Sequence, residues 1–300
     1  MKKISDIIFD YLEKNYIEPS GELCKLDRGL ILDKYDIETK EQSIEFGKPI
    51  GRYSLLSIPD ILSMYREDIE YTIDTLCSVL NDMIGTISSD DRVLVVGLGN
   101  RHISSDSLGA KVVNQIHITL DNKNLPKVMA IAPSVLGLTG IETYDIISGV
   151  VNNVNPTHII LIDSLCAGSV DRLGRSIQVT NTGICPGSGI GNKRKCIDKT
   201  IAKNVFSIGV PLLIFAETFV LSAFEKQSVY LDDINDIMQD MKKAGEKGKK
   251  YNILNKIKKV FDTDFDNCIV SIKDIEECVE ILSKIISTAI NRVLGFEDIY

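Results

Sequence analysis

The chain has 300 residues, of which 44% are hydrophobic, and its formal net charge is −8. This length allows one large domain or two small ones with a buried core. The acidic charge argues against a duplex nucleic-acid binder, because such proteins present a basic face to the phosphates, and no apolar run reaches the roughly 20 residues that span a bilayer.

The first 50 residues differ in character from the rest of the chain. Ile4–Leu12 has the spacing of a short amphipathic helix, and its acidic residues interrupt any signal-peptide core, so a cytoplasmic protein is predicted. Gly21–Lys48 is polar, and we predict that it is irregular. Residues 1–50 are therefore assigned to an N-terminal regulatory segment, and residues 51–300 to one α/β domain with a helical C-terminal extension.

From Arg52 onwards, the sequence alternates between apolar strand patterns and amphipathic helix patterns. Such alternation predicts βαβ units, and hence an α/β fold with a mostly parallel central sheet and helices on both faces, in a phosphorylase/hydrolase-like arrangement. The predicted strands are 52–58, 92–97, 127–132, 158–163, 176–180 and 205–210. Four helices are predicted. The first begins near Glu67, the second spans 105–119, the third runs from a Thr139-x-x-Glu142 capping box to about Val154, and the last spans 275–293.

Two aspartates are placed where such folds do chemistry, at the carboxyl ends of parallel strands. Asp106 follows the strand 92–97, and Asp163 ends the apolar strand 158–163. Each has a structural alternative: Asp106 could complement a helix dipole, and Asp163 could be a buried hydrogen-bonding group. Two carboxylates within reach would share one proton, so that one acts on water as a base and the other as an acid. This chemistry suits amide hydrolysis.

Other site types fit the residues less well. Gly97-x-Gly99 lacks the third glycine of a dinucleotide fingerprint, and the glycine-rich stretch 187–193 does not match a P-loop. That stretch is instead predicted to shape a cleft, with Lys193 and Arg194 stabilising developing negative charge. A nucleophilic Cys166 or Cys185 paired with His102 remains an alternative. No cofactor is predicted.

The seven cysteines are scattered and include no Cys-x-x-Cys pair. A disulfide framework and a structural zinc site are therefore not expected. We predict buried free thiols in a reducing compartment and no bound metal.

Five motifs give a more specific indication. Their order along the chain and their residues resemble those of the germination protease family of endospore-forming bacteria. The motifs are Val95–Asn100 with Ser105–Gly109, Ala132–Thr143, Leu161–Leu165, Asn181–Arg194 and Ile208–Pro211.

The resemblance implies an aspartic-type endopeptidase that is made as a zymogen and degrades the small acid-soluble proteins that coat spore DNA. It implies a fold like that of hydrogenase maturation endopeptidases, a location in the spore core, a homo-oligomer (a tetramer), and no direct contact with nucleic acid or membrane. Asp106 and Asp163 match the family's proposed catalytic pair. The implied supporting residues are Asn100, Thr139, Glu142, Gly187, Ser188, Lys193 and Arg194.

The chain departs from the family pattern in two places. Leu26–Leu30 is at best a remnant of the family's Arg-Thr-Asp-Leu-Ala-like propeptide end, and Phe215 replaces an acidic residue that usually follows Gly-Val-Pro. Two alternatives of other classes stay open: a hydrogenase-maturation-type peptidase, which a hydrogenase partner would favour, and a non-catalytic sporulation protein, which would tolerate loss of both aspartates.

Overall fold

A computed structural model describes residues 23–119, 122–185, 195–227 and 268–296. The predicted helix Ile4–Leu12 and the basic stretch 242–259 lie outside these ranges. The same holds for four of the predicted site residues, which are Gly187, Ser188, Lys193 and Arg194.

Within these ranges, nine strands form one mixed sheet. They are β1 (Leu23–Lys25), β2 (Ile31–Ile37), β3 (Gly51–Ser57), β4 (Arg92–Gly97), β5 (Lys127–Ile131), β6 (His158–Ala167), β7 (Ser176–Thr180), β8 (Asn204–Phe215) and β9 (Ile269–Ser271). The order across the sheet is β1-β2-β3-β7-β8-β6-β4-β5, and β9 pairs with the end of β8. The predicted α/β class is confirmed.

The strands β5, β4, β6 and β8 run parallel and form the centre of the protein. The residues of β4, β6 and β8 are almost all buried, as expected for strands covered on both faces, whereas the edge strand β5 is largely half-buried. The remaining pairs are antiparallel, from β1 to β3 and on through β7 to β8. The prediction of a mostly parallel sheet therefore holds for only one half of the sheet. The apolar pattern of a segment indicates that it forms a strand, but it does not show in which direction the neighbouring strand runs.

The prediction that Gly21–Lys48 is irregular was wrong. β2 pairs with β3 over seven residues, and a helix follows at Lys40–Phe46 (α1). The strand pattern of β2 is diluted by charged residues because much of this outer strand is only partly buried. The helix start is marked in the sequence by Thr39 and Gln42, which form a complete capping box.

Helices cover both faces of the sheet. They are α2 (Arg66–Ile84), α3 (Leu108–Val113), α4 (Leu136–Thr139), α5 (Thr143–Val154), α6 (Ala216–Gln227) and α7 (Ile275–Val293). One face packs against α2, α3 and α7, and the opposite face packs against α5. In the described ranges, no helix is both long and apolar enough to cross a bilayer.

Two helix predictions need correction. The predicted helix 105–119 is a 3₁₀ turn at Ser104–Asp106 followed by the six-residue α3. The predicted capping box at Thr139 and Glu142 does not form, because Thr139 ends α4 and its hydroxyl bonds within that turn, while Glu142 precedes α5 without a side-chain cap. Gly140, in the left-handed region, separates the two helices.

The C-terminal helix α7 holds the turn that carries Asp106. Glu276 accepts a hydrogen bond from Ser104 at 3.1 Å, and Glu280 pairs with Lys111 of α3 at 2.9 Å. Further along, the Asn291 amide donates to the carbonyl of Gln115 at 3.0 Å. These contacts fix the position of the segment after β4 relative to the sheet.

Candidate active site

The loop that leaves β4 runs alongside β6. The backbone N–H of Leu98 donates to the carbonyl of Ile162 at 2.8 Å, which extends the parallel pairing one residue beyond β4. The loop therefore reaches the level of Asp163 before it turns away. This places the Gly97–Asn100 motif at the carboxyl end of the parallel strands, where the sequence predicted it.

Three glycines allow this loop to pack directly on α3. A Cβ atom at Gly97 would clash with the carbonyl group of Gly109, and one at Gly109 would clash with the backbone of Leu98. Gly99 adopts a φ of +98°, and a Cβ atom there would lie 2.7 Å from Oδ1 of Asp106. The Gly-x-Gly-Asn…Asp-x-x-Gly spacing is thus explained by close backbone contact around the Asp106 carboxylate.

Asp106 is held by the loop and not by a helix terminus. Its Oδ2 accepts a hydrogen bond from the backbone N–H of Asn100 at 2.8 Å, and the N-cap residue of α3, Ser107, makes no side-chain capping bond. Burial raises the pKa of the Asp106 carboxyl above its ordinary value, and the Asn100 hydrogen bond offsets part of that rise. A partly buried acid with a raised pKa is typical of a proton-transfer group.

Asp163 lies inside β6 and not after its end. The strand continues to Ala167, with a register irregularity between Leu165 and Cys166, so the prediction that Asp163 ends the strand was wrong. Asp163 is 8% exposed and pairs with Gly209 of β8. Its Oδ1 accepts a hydrogen bond from the N–H of Ser164 at 2.9 Å.

The two aspartates are connected through one short segment. Leu98 bonds to Ile162, the residue before Asp163, and Asn100, two residues further, bonds to the Asp106 carboxylate. The 3₁₀ turn of Asp106 also packs against β6 and β8. Asp106 and Asp163 therefore occupy the same end of the sheet, on the two sides of the Gly97–Asn100 segment.

The other predicted site residues have different positions. Asn100 adjoins Asp106 through its backbone, and its side-chain oxygen accepts from the N–H of His102 at 3.0 Å. Thr139, the last residue of α4, is exposed, and Glu142, just before α5, is half-buried; both follow β5, the strand next to β4. In the described part of the chain, no group of three His, Cys, Asp or Glu side chains is arranged to hold a metal ion.

The geometry does not support the alternative of a nucleophilic cysteine paired with His102. Cys185 is bonded to Cys196, Cys166 is buried within β6, and His102 is exposed in the loop after β4. A nucleophilic thiol needs a nearby base and access to substrate. The structure gives neither Cys166 nor Cys185 this combination.

A single disulfide contradicts the expectation that the thiols are all free. Ile184 and Ile197 form an antiparallel bridge with two backbone hydrogen bonds. Cys185 and Cys196 are the neighbouring residues on its two sides, and their Cα atoms are 4.0 Å apart. They thus form the next, non-hydrogen-bonded pair, where side chains come closest. Sequence spacing did not show this pair because the bridge joins residues on either side of the glycine-rich stretch.

We expect five titratable thiols per unfolded chain after treatment with oxidised glutathione, and seven after reduction. In the Cys185→Ser variant, the number of titratable thiols should be the same under both conditions. Because the bond closes a short loop, its reduction is expected to cost about 2–3 kcal/mol of unfolding free energy, measured by urea denaturation. Seven thiols in the oxidised wild-type protein would contradict the pairing.

A cavity opens on the part of the sheet that includes Leu165 of β6 and Gly209, the strand partner of Asp163. It measures about 90 Å³ and is lined mainly by β3, β7, β8 and the start of the Asn181 loop. The described lining residues are Lys48, Pro49, Tyr53, Leu165, Gln178, Thr180, Thr182, Gly183, Ile184, Cys185, Cys196, Asp198, Ser207 and Gly209. Sequence reasoning missed most of them, because they lie on strands that are distant along the chain.

The raised pKa of Asp106 predicts a stability effect with a defined sign. Below the ordinary value of 3.8 the carboxyl is protonated in both folded and unfolded chains, so burial carries no charge penalty. As the pH rises from this value through the higher folded-state pKa, the buried carboxyl must ionise, and the folded protein becomes less stable. We expect Asp106→Asn to raise the melting temperature at pH 7, with a gain that shrinks toward pH 4. A gain independent of pH, in calorimetry across this range, would contradict the burial effect.

Fold and site together define an α/β protein with two aspartates at the carboxyl end of its parallel strands. The family model described as "Germination protease" matches residues 25–227. The chain belongs to the germination protease family and is a peptidase.

Several curated relatives carry the same description. The germination protease of Clostridium tetani is 35% identical, with 95% of this chain and 91% of the relative aligned. That of Clostridium perfringens (strain ATCC 13124) is 34% identical over 86% of this chain and 82% of the relative. That of Bacillus subtilis (strain 168) is 39% identical over 60% and 52%.

Proposed function

We propose that this peptidase starts the degradation of small acid-soluble spore proteins during germination, in the spore core, and that Asp106 and Asp163 activate water for the cleavage. The observation that carries the proposal is the placement of both aspartates around the Gly97–Asn100 segment in a member of this family. The reaction is hydrolysis of an internal peptide bond.

The two carboxyl groups have different surroundings, which supports different roles. The raised pKa of Asp106 favours a protonated carboxyl that donates to the leaving amine. Asp163, in this proposal, is the ionised partner that removes a proton from the attacking water. Lys193 and Arg194 are proposed to stabilise the negative charge that develops on the carbonyl oxygen.

The substrate is proposed to be an extended chain. Proteins that are unstructured off DNA can enter a cleft that excludes a folded domain, and binding them costs ordering entropy that only a matched sequence offsets. Recognition should therefore depend on a short sequence at the scissile bond.

The deciding experiment is incubation with a purified small acid-soluble spore protein, with and without DNA, followed by mass spectrometry. We expect cleavage at one or a few positions, faster for free substrate than for substrate on DNA, and little digestion of casein. Indiscriminate casein digestion would contradict sequence-specific recognition. Equal rates with and without DNA would contradict the need for a free, extended substrate.

A zymogen is the second part of the proposal. The part to be removed is proposed to end before β1, because β2 contributes Tyr35 and Ile37 to a buried cluster and pairs with β3 along its full length. Removal of β2 would expose this cluster.

Staged N-terminal truncation tests this. A truncated protein that begins at residue 23 should be folded and more active than the full-length chain. One that begins after Ile37 should be unfolded, as judged by circular dichroism. Equal activity of the full-length chain and every folded truncation would contradict the zymogen. Sedimentation of the same truncated proteins tests the proposed homo-oligomer.

A further inference from the structure

The bond between Cys185 and Cys196 takes no part in the proposed reaction. The structure describes all seven cysteines of the chain, and it joins only this pair in a disulfide. Inside cells, where the proposed function places this peptidase, small thiols keep protein thiols reduced. The disulfides that do form there are usually transient and have catalytic or redox-sensing roles. The position of this bond therefore points to a reversible reaction of the pair.

The neighbouring bridge keeps the two cysteines together when the bond is open. Ile184 and Ile197 exchange backbone hydrogen bonds of 2.9 and 2.8 Å, and Ile197 is buried in the apolar cluster between the sheet and α5. A Cβ atom at Gly183 would clash with the carbonyl of Ile197, so this glycine lets the two segments lie in contact. These contacts do not involve the sulfur atoms. The two thiols of the reduced protein thus stay neighbours, and the bond re-forms intramolecularly at a high effective concentration.

Both cysteines are accessible to small reagents, because each residue is only half-buried. Formation of the bond needs an oxidant, which in this chemistry is a low-molecular-weight disulfide. One cysteine thiolate attacks a sulfur of that disulfide and releases a small thiolate, and the other cysteine thiolate then attacks the mixed disulfide and releases the second one. Two protein thiols are oxidised, and the small disulfide is reduced to two thiols, which take up the two protons. An excess of the small thiol reverses both steps.

The pair is connected to the region of Asp163 through the cavity on the sheet. Cys185 and Cys196 both line that cavity. Its lining also includes Leu165, two residues beyond Asp163, and Gly209, the strand partner of Asp163. Bonded sulfur atoms are about 2 Å apart and non-bonded heavy atoms about 3.5–4 Å, so opening the bond moves the sulfur atoms apart by about 1.5–2 Å. In a cavity of about 90 Å³, such a shift changes the shape of the wall.

We propose that Cys185 and Cys196 form a modification site that low-molecular-weight disulfides oxidise, and that the bonded form of the peptidase is the less active one. The direction follows from the compartment, because a peptidase that works among small thiols meets its substrate with this accessible bond open. Oxidation fixes the cavity wall near the strand partner of Asp163 and holds the enzyme in the less active form. The inference rests on the location and on the role of Asp163 in the proposed function.

The test measures the thiol count and the activity of the full-length protein in buffers with different ratios of reduced to oxidised glutathione. The pair should change from bonded to open within the range of these buffers. In parallel, kcat/KM on a spore-protein substrate should rise about tenfold, since a displacement of about 1 Å near a catalytic group costs up to 10²-fold in rate. A bond that resists millimolar reduced glutathione, equal activity of the two forms, or higher activity of the bonded form would overturn the proposal.

Two variants show whether the effect belongs to this pair. The double variant Cys185→Ser, Cys196→Ser should have the activity of reduced wild type at every glutathione ratio, because it cannot form the bond. Cys268→Ser removes an exposed thiol next to β9 and should keep the full response of wild type. A response that persists in the double variant, or that disappears in Cys268→Ser, would assign the effect to another thiol and contradict the proposal.

Hydrogen exchange tests the pair independently of activity. If no spore protein is cleaved in either redox state, the proposed function fails, and the redox site is judged by the exchange rates of the Ile184 and Ile197 amides. Both amides donate across the bridge beside the cysteines, so they should exchange faster in the reduced protein while remaining protected. The amide of Leu98, which donates to Ile162, should exchange equally in both states. Equal exchange at the bridge in both states would show that the bond has no effect on this wall and would refute the redox site.

Discussion

Asp106→Asn and Asp163→Asn are each expected to lower kcat/KM on a spore-protein substrate by about 10³-fold, because general acid–base catalysis contributes 10²–10⁴-fold. Asn100 can still donate to the amide oxygen of an Asn at position 106, and Ser164 to one at position 163. The geometry is thus retained while the ionisable carboxyl group is removed. Steady-state kinetics on the cleaved peptide give the measurement, with circular dichroism to show that each variant is folded.

Asp36→Asn provides the control for this pair. Asp36 is an exposed carboxylate on β2, on the outer part of the sheet, and its variant should keep full activity. Near-wild-type turnover by either Asp106→Asn or Asp163→Asn would exclude the acid–base pair. Full biological function of the double variant would favour the non-catalytic alternative.

The second large effect is expected for Gly99→Ala. Gly99 has a φ of +98°, which side-chain-bearing residues rarely adopt, and its Cβ atom would collide with the Asp106 carbonyl and approach the carboxylate. The loop must shift, and displacement of a catalytic group by about 1 Å can cost 10²-fold in rate. We therefore expect at least a 10²-fold loss of kcat with a folded protein.

Gly137→Ala is the matched control, since Gly137 lies in the short helix α4 and a Cβ atom there meets nothing within 4 Å. Activity should be unchanged in this variant. If Gly99→Ala were as active as Gly137→Ala, the close contact between Gly99 and Asp106 would have no role in catalysis.

Much of this protein is determined by local sequence. The strands Arg92–Gly97 and Ser176–Thr180 and the helix Ile275–Val293 have the predicted bounds, because each carries a continuous or periodic apolar pattern. The motif around Asp106 is likewise local. Its glycines and its aspartate all lie between Gly97 and Gly109, and close backbone contact follows from their spacing.

Other features depend on residues that meet only in the folded sheet. β6 runs past Asp163 because β8 continues beside it to Phe215, and a strand's own sequence does not show how far its neighbour extends.

The direction of the outer strands, the Cys185–Cys196 bond and the pairing of Asp163 with Gly209 were likewise decided by tertiary structure. Asp163 and Gly209 are far apart along the chain, but they lie side by side in the sheet. Side-chain patterns report burial and period, whereas register between distant strands is set by the packing of the whole sheet.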